Sequence, residues 1–221
     1  MINKTISTIG LILTASAMSL LAQNGTWNTD ASGNWSDTSK WLSGVVADGT
    51  GNTADFSTIN ITADRTVTLD AAHTLSTLKF GDAGVTDHNW TLSGANTLTL
   101  GTTPTINVVN QTATISSLLA GTAFTKLGAG TLVLNGSVVN TFTGTIAVKA
   151  GTLTEDFSNL GTPANLVAST VILSLAGGTL NINGAASGAT SQTFASTTFG
   201  AGANAVNVVN NGTTLKNTGA I

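Results

Sequence analysis

The chain has 221 residues, of which 8% are charged and 41% hydrophobic, with 25 glycines, no cysteine and a formal net charge of −3 at pH 7. Soluble proteins carry charge on roughly a quarter of their residues, so an ordinary charged surface is excluded, as are disulfides, metal–thiolate sites and thiol catalysis. A weakly acidic chain has no positive field to draw in phosphate backbones, which excludes nucleic acid as a partner.

Low charge has two ordinary sources, membrane spans and repetitive β-structure. Past the N-terminus no apolar run approaches the roughly 20 residues that a spanning helix needs, so the mature chain reads as β-structure without a membrane span. Apolar residues recurring in strand-like triplets are also more than a solvated linker carries.

Residues 1–22 read as a secretory signal: Lys4 supplies a positive start, Ile6 to Leu21 an apolar stretch, and Ala22 a cleavage position before Gln23. Ala15-Ser16-Ala17 fits the small-residue cleavage pattern too, but cutting after Ala17 would leave Met18 to Leu21 on the mature end. A helix is expected over this segment.

Residues 23–63 hold three of the four tryptophans, Trp27, Trp35 and Trp41. Two readings follow. In a stacked fold the first turn has no neighbour before it, and its apolar end must be covered, so the three rings serve as an N-terminal cap. Flat aromatic rings can also stack on sugars, which makes the same three residues a glycan platform. The cap is favoured, because a stack has to end and need not bind sugar.

Residues 64–221 read as successive coils. Val67 and Leu69 alternate with threonines, and Leu78 and Phe80 continue the pattern before a turn at Gly81 to Gly84. Further strands are expected at Trp90 to Leu92, Leu98 to Leu100, Ile106 to Val108 and Ala113 to Ile115, with short connections and no helical period between them. That excludes βαβ units, whose crossovers are helical. Leu153 to Leu166, with Pro163, reads as a loop leaving one corner. Val171 to Leu175, Leu180 to Ile182, Ala205 to Val208 and Thr213 to Leu215 supply the last strands.

The densest pattern lies between Phe124 and Leu153. Two alternating runs, Thr131 to Leu134 and Thr145 to Val148, are bounded by glycine or asparagine. The tripeptide Gly-Thr-Leu begins at Gly130, Gly151 and Gly178, with a looser copy at Gly212. Such spacings suit a solenoid in which each turn covers the apolar face of the last. Outward threonines and turn asparagines such as Asn135, Asn140, Asn181 and Asn183 can hydrogen-bond from coil to coil.

This segment resembles the autotransporter-associated β-strand repeat. The resemblance rests on Thr125-Lys126-Leu127-Gly128-Ala129-Gly130-Thr131-Leu132, then Asn140-Thr141-Phe142-Thr143-Gly144, then Ala150-Gly151-Thr152-Leu153. It implies an all-β, right-handed parallel β-helix of the passenger type, exported to the bacterial cell surface or beyond. A repeat is a scaffold, however, and function needs a site. Nothing after Ile221 closes the stack, so the chain is expected to be a piece of a longer passenger.

Candidate chemistry is sparse. Asp70 with His73, and Asp82 and Asp87 with His88, sit at expected turns, where these residue types are common for backbone reasons. Glu155 and Asp156 are adjacent, and neighbours on a strand face opposite ways, which suits paired glycosidase carboxylates poorly. A lyase acting on acidic sugar needs cations, and Arg65 is the sole arginine. The leading expectation is therefore a non-enzymatic exported scaffold without cofactor, contacting glycans, matrix or other cell-surface molecules through its outer face. Two alternatives remain: a glycan-active β-helix enzyme, either polysaccharide lyase or hydrolase, and a structural protein that self-associates end to end through an uncovered last coil near Leu215.

Overall fold

The computed structural model describes residues 23–84, 87–209 and, as backbone, 213–217. The expected signal helix over residues 1–22, with its cleavage at Ala22 or Ala17, lies outside the described residues.

Alternation of branched apolar residues with threonine favours short strands, and glycine or asparagine at each break lets the chain turn sharply. The structure runs these strands alternately into two parallel sheets. The first sheet takes Gly25–Thr26, Thr53–Phe56, His73–Phe80, Thr97–Val108, Phe124–Leu127, Thr145–Val148, Ile172–Leu175 and Ser196–Phe199 in order. The second takes Gly33–Asn34, Arg65–Thr68, Trp90–Ser93, Thr112–Ile115, Thr131–Leu134, Thr152–Asp156, Thr179–Asn183 and Ala205–Val209. Leu118–Gly121 and Thr141–Phe142 pair beside the first sheet, and Thr190–Phe194 pairs with Thr213–Asn217, so a third row of strands forms from the middle of the chain onward. Each strand pairs in parallel with the strand one turn away, which makes the molecule a parallel β-solenoid. Among the described residues the only helices are single 3-10 turns at Thr38–Lys40, Leu42–Gly44 and Phe157–Asn159.

Register turns alternation into columns. In the second sheet Val67, Leu92, Ile115, Leu134, Glu155, Ile182 and Val208 lie one above another. In the first, Ala54, Leu78, Ile106, Lys126, Val148, Leu175 and Phe199 do the same. The apolar members from Ala54 to Leu175 and from Val67 to Ile182 are buried. Burying one such large side chain is worth about 2 kcal/mol, and a slip of one residue would turn a whole strand's set outward. The three Gly-Thr-Leu copies stack directly, since Thr131 pairs with Thr152 and Thr152 with Thr179. At the corner before the first copy, Gly128 has φ +77, and a Cβ there would stand 2.1 Å from the carbonyl oxygen of Val108. Only glycine lets successive corners approach this closely.

Several elements differ from the sequence reading. The strands expected at Leu98 to Leu100 and Ile106 to Val108 belong to one element, Thr97–Val108, bent at Thr103 with φ 44. Strands at Leu118–Gly121, Phe124–Leu127, Thr190–Phe194 and Ser196–Phe199 carry polar or small residues that masked them. The irregular segment starts at Phe157 rather than Leu153, because Thr152–Asp156 pairs on both edges. The looser copy following Gly212 leaves the Gly-Thr-Leu stack: Thr213 pairs with Thr190, and Ala205 occupies the place above Thr179. Residues 23–63 lie in the same two sheets as the coils, with Gly33–Asn34 paired to Val67 and Thr68.

Candidate functional site

The three candidate tryptophans lie inside. Trp27, Trp35 and Trp41 are 0%, 0% and 2% exposed. Trp41 meets Trp27 and Trp35 edge to face, with centroids 5.3 and 5.2 Å apart, and all three rings contact Phe56. Each indole N–H donates to a backbone carbonyl: Trp27 to Thr29 at 2.9 Å, Trp35 to Ala47 at 3.0 Å and Trp41 to Trp35 at 2.7 Å. Aromatic packing with satisfied polar tips is the arrangement of a core, and no ring face is left for a sugar.

Each candidate acid and histidine meets backbone or a neighbour other than its expected partner. Asp70 accepts from the backbone N–H and hydroxyl of Ser36. His73 is buried against Trp35, with Nδ1 3.2 Å from Asp48 Oδ2. Asp82 accepts from the N–H groups of Ile61 and Gly84, Asp87 accepts from Gln111, and His88 faces Asp64 at 3.8 Å. These are turn and ladder roles. Glu155 and Asp156 point opposite ways: Glu155 is wholly buried, while Asp156 accepts from Ser158 N–H at the next turn. Among the described residues no group of three or more His, Cys, Asp or Glu side chains could hold a metal ion, and no helix is long and apolar enough to cross a membrane.

A concave feature lies on the outer face of the first sheet. A groove of about 450 Å³ has Thr105, Thr125 and Ala147 along adjoining strands as its floor, with Pro104, Leu127 and Lys149 around them. The bend at Thr103 raises one wall, and the exposed Lys149 ammonium lies at the opposite rim. A floor of small hydroxylated side chains beside one cation can accept hydrogen bonds from, and donate them to, a polar chain lying across the strands. It contains no acid, and so no general acid–base pair.

Two ionisable side chains that the sequence reading did not place inside are buried, one in the repeat and one just past it. Lys126 is 0% exposed, and its Nζ donates to the carbonyls of Leu127, Gly128 and Ala150 at 2.8, 2.9 and 3.2 Å. Burial lowers its pKa to about 8. The lysine of the repeat thus closes the glycine corners of two successive coils. Glu155 is also 0% exposed, neither carboxylate oxygen has a hydrogen-bond partner, and burial raises its pKa to about 8. Strict alternation from Phe124 and from Leu153 was the signal that could have placed both inward.

Stacked parallel turns around an apolar interior define a parallel β-solenoid. Residues 124–154 match the passenger-associated-transport-repeat family, so the chain carries an autotransporter-associated repeat. Over 145 residues it is 42% identical to the adhesin BmaC autotransporter of Brucella suis biovar 1 (strain 1330), an overlap covering 64% of this chain and 4% of that relative. No solved structure matches. The chain is thus similar to a small part of an autotransporter adhesin.

Proposed function

We propose that the chain is a non-enzymatic, exported passenger scaffold, displayed at the bacterial cell surface, that binds glycans, matrix or other surface molecules on the outer face of its first sheet. The observations that carry this reading are the likeness to an autotransporter adhesin across 145 residues and the repeat at residues 124–154. The groove over Thr105, Thr125 and Ala147 is where such contact is assigned, with Lys149 at its rim. Residues 23–63 act as the cap of the stack, residues 64–221 as its coils and residues 1–22 as the export signal. The solenoid winds to the right, as crossovers between parallel strands of one sheet do in about 98% of cases.

The test is binding of the purified chain to arrayed glycans and matrix proteins, beside Thr125→Arg and Lys149→Glu variants. The expected result is retention of the wild-type chain on at least one surface class and loss with Thr125→Arg, with circular dichroism unchanged. Absence of retention on every surface would overturn the adhesive reading. Release of unsaturated or reducing ends from a polysaccharide would replace it with a glycan-active enzyme.

A further inference from the structure

The outer face of the first sheet carries side chains in register from coil to coil: Thr77, Thr105, Thr125, Ala147, Ser174 and Thr198 form one column. Outside the groove its hydroxyls serve each other, as those of Thr77 and Thr105 do at 3.2 Å. Ala147 breaks the run, and it lies in the groove beside Thr125 and Thr145. Neither of those two hydroxyls has a hydrogen-bond partner among the described residues.

The Lys149 ammonium is uncommitted as well. Arg65 and Lys79 pair with Asp30 and Asp55, and Lys126 is buried on carbonyls, whereas Lys149 is exposed and has no ion-pair partner among the described residues. No Asp or Glu lies between Asp87 and Glu155 in the chain, and Glu155 is turned inside. A chain of net charge −3 therefore presents a locally positive spot over these coils. Pro104, Leu127 and Ala147 add an apolar surface, and a groove of about 450 Å³ has the size of a small-ligand site.

We infer that the groove takes a carboxylated sugar unit of an acidic polysaccharide, with the carboxylate on Lys149, the C–H face of the ring against Pro104, Leu127 and Ala147, and ring hydroxyls on Thr125 and Thr145. This rests on the adhesive reading above and names its ligand class. The sugar offers an anion, hydroxyls and an apolar face, which are the complements of what the groove leaves unclaimed. An acidic peptide fits less well. The strands under the groove are hydrogen-bonded on both edges, so an extended peptide finds no free N–H or C=O to pair with.

The experiment is binding of the full chain to immobilised polygalacturonate and hyaluronate, to the same polymers as methyl esters, to dextran and to polyglutamate. Esterification removes the charge and keeps the sugar. At least one acid polymer is expected to bind at least about tenfold more tightly than its ester, and Lys149→Gln should weaken that binding by about tenfold. Lys40→Gln removes the same charge from the cover that folds back over the first strands, where Gln23 bridges Asp48 and Trp27 bridges Trp41, and should leave binding unchanged. Equal effects of the two substitutions would overturn the assignment, as would polyglutamate held as tightly as the acid polymers. Retention on dextran, on the esters or on a matrix protein with no preference for the acid would overturn it and leave the adhesive reading standing. Retention on no surface at all would overturn both.

Discussion

The N-terminal turns and the repeat at residues 124–154 solve the same problem with different materials. The first turns fill their interior with rings: Trp27, Trp35, Trp41, Phe56, Phe80 and Trp90 form one connected aromatic group, with Phe56 and Phe80 stacked at 5.2 Å. The repeat fills its interior with aliphatic columns and the pair Phe124 and Phe142, and admits the buried Lys126 and, one residue past its end, the buried Glu155. The first strands are only two residues long, and large rings fill the interior beside them. An internal turn is packed from both sides and can tolerate a polar group at one level of a column.

The sharpest break of that comparison is Trp35→Ala. The ring is fully buried against Trp41, Phe56 and His73, and its N–H holds Ala47 in the folded-back cover. A loss of about 3–5 kcal/mol is expected, read as a lower urea midpoint. If stability is unchanged, the ring is not part of the terminal packing, and the sugar-stacking reading of Trp27, Trp35 and Trp41 returns.

The second effect is on pH dependence and belongs to the repeat. Glu155 titrates at about 8 in the fold against the ordinary 4.5, so the folded state holds a proton that the unfolded chain has released between those values. Its contribution to stability is full below 4.5 and is lost as pH rises through 8. Lys126 runs the other way. Its folded value of about 8 lies below the ordinary 10.5, so its contribution is full above 10.5 and is lost as pH falls through 8. Stability should therefore pass through a minimum near pH 8. Glu155→Gln should flatten the acid-side slope and stabilise the fold at pH 8 by an amount on the order of a few kcal/mol. Lys126→Met should flatten the alkaline-side slope. Melting temperatures from pH 5 to pH 10 test both, and a wild-type curve without a minimum would show that these groups gain partners or water on ionisation.

The same two residues mark how far the sequence could be read. The Gly-Thr-Leu spacing gave the coil length in the repeat, because a glycine corner and a two-residue period are both local requirements of the backbone. Thr131, Thr152 and Thr179 stack as that spacing requires. Composition then misled where it conflicted with period. Lysine is ordinarily a surface residue and leucine a core one, yet parity with Phe124 puts Lys126 inside and leaves Leu127 only partly covered. Strands such as Thr190–Phe194 were hidden because Thr190 and Gln192 are buried through hydrogen bonds, Gln192 donating to the carbonyls of Val167 and Thr193. The groove was invisible for another reason: its wall depends on the bend at Thr103, and no local pattern announces that bend.

Asparagine ladders give a smaller effect. Asn140 is buried, its Oδ1 accepting from Leu119 N–H at 2.9 Å and its Nδ2 donating to Leu166 O, so one side chain ties three turns. Asn140→Ala would orphan the Leu119 N–H at a cost of about 2 kcal/mol. Asn181 is tied more loosely, accepting from the exposed Asn207 at 2.9 Å, and Asn181→Ala should cost less than about 1 kcal/mol. Equal losses from the two variants, measured in urea, would mean that burial does not set the strength of the ladder.

The smallest effect is at the surface of the first turns, where Asp30 accepts from Arg65 Nε at 2.7 Å and from Thr62. Those bonds hold the Asp30 carboxyl down at about 2, the Arg65 hydrogen bond contributing most. A lowered carboxylate value means stability that is full above the ordinary 3.8 and lost as pH falls through 2. Arg65→Ala should bring the Asp30 titration, followed by carboxyl chemical shift, back toward 3.8, while the urea midpoint at neutral pH changes less than in any variant above, because water screens an exposed pair. A large loss of stability with Arg65→Ala would show that ion pairing, and not ring packing alone, holds the terminal turn in place.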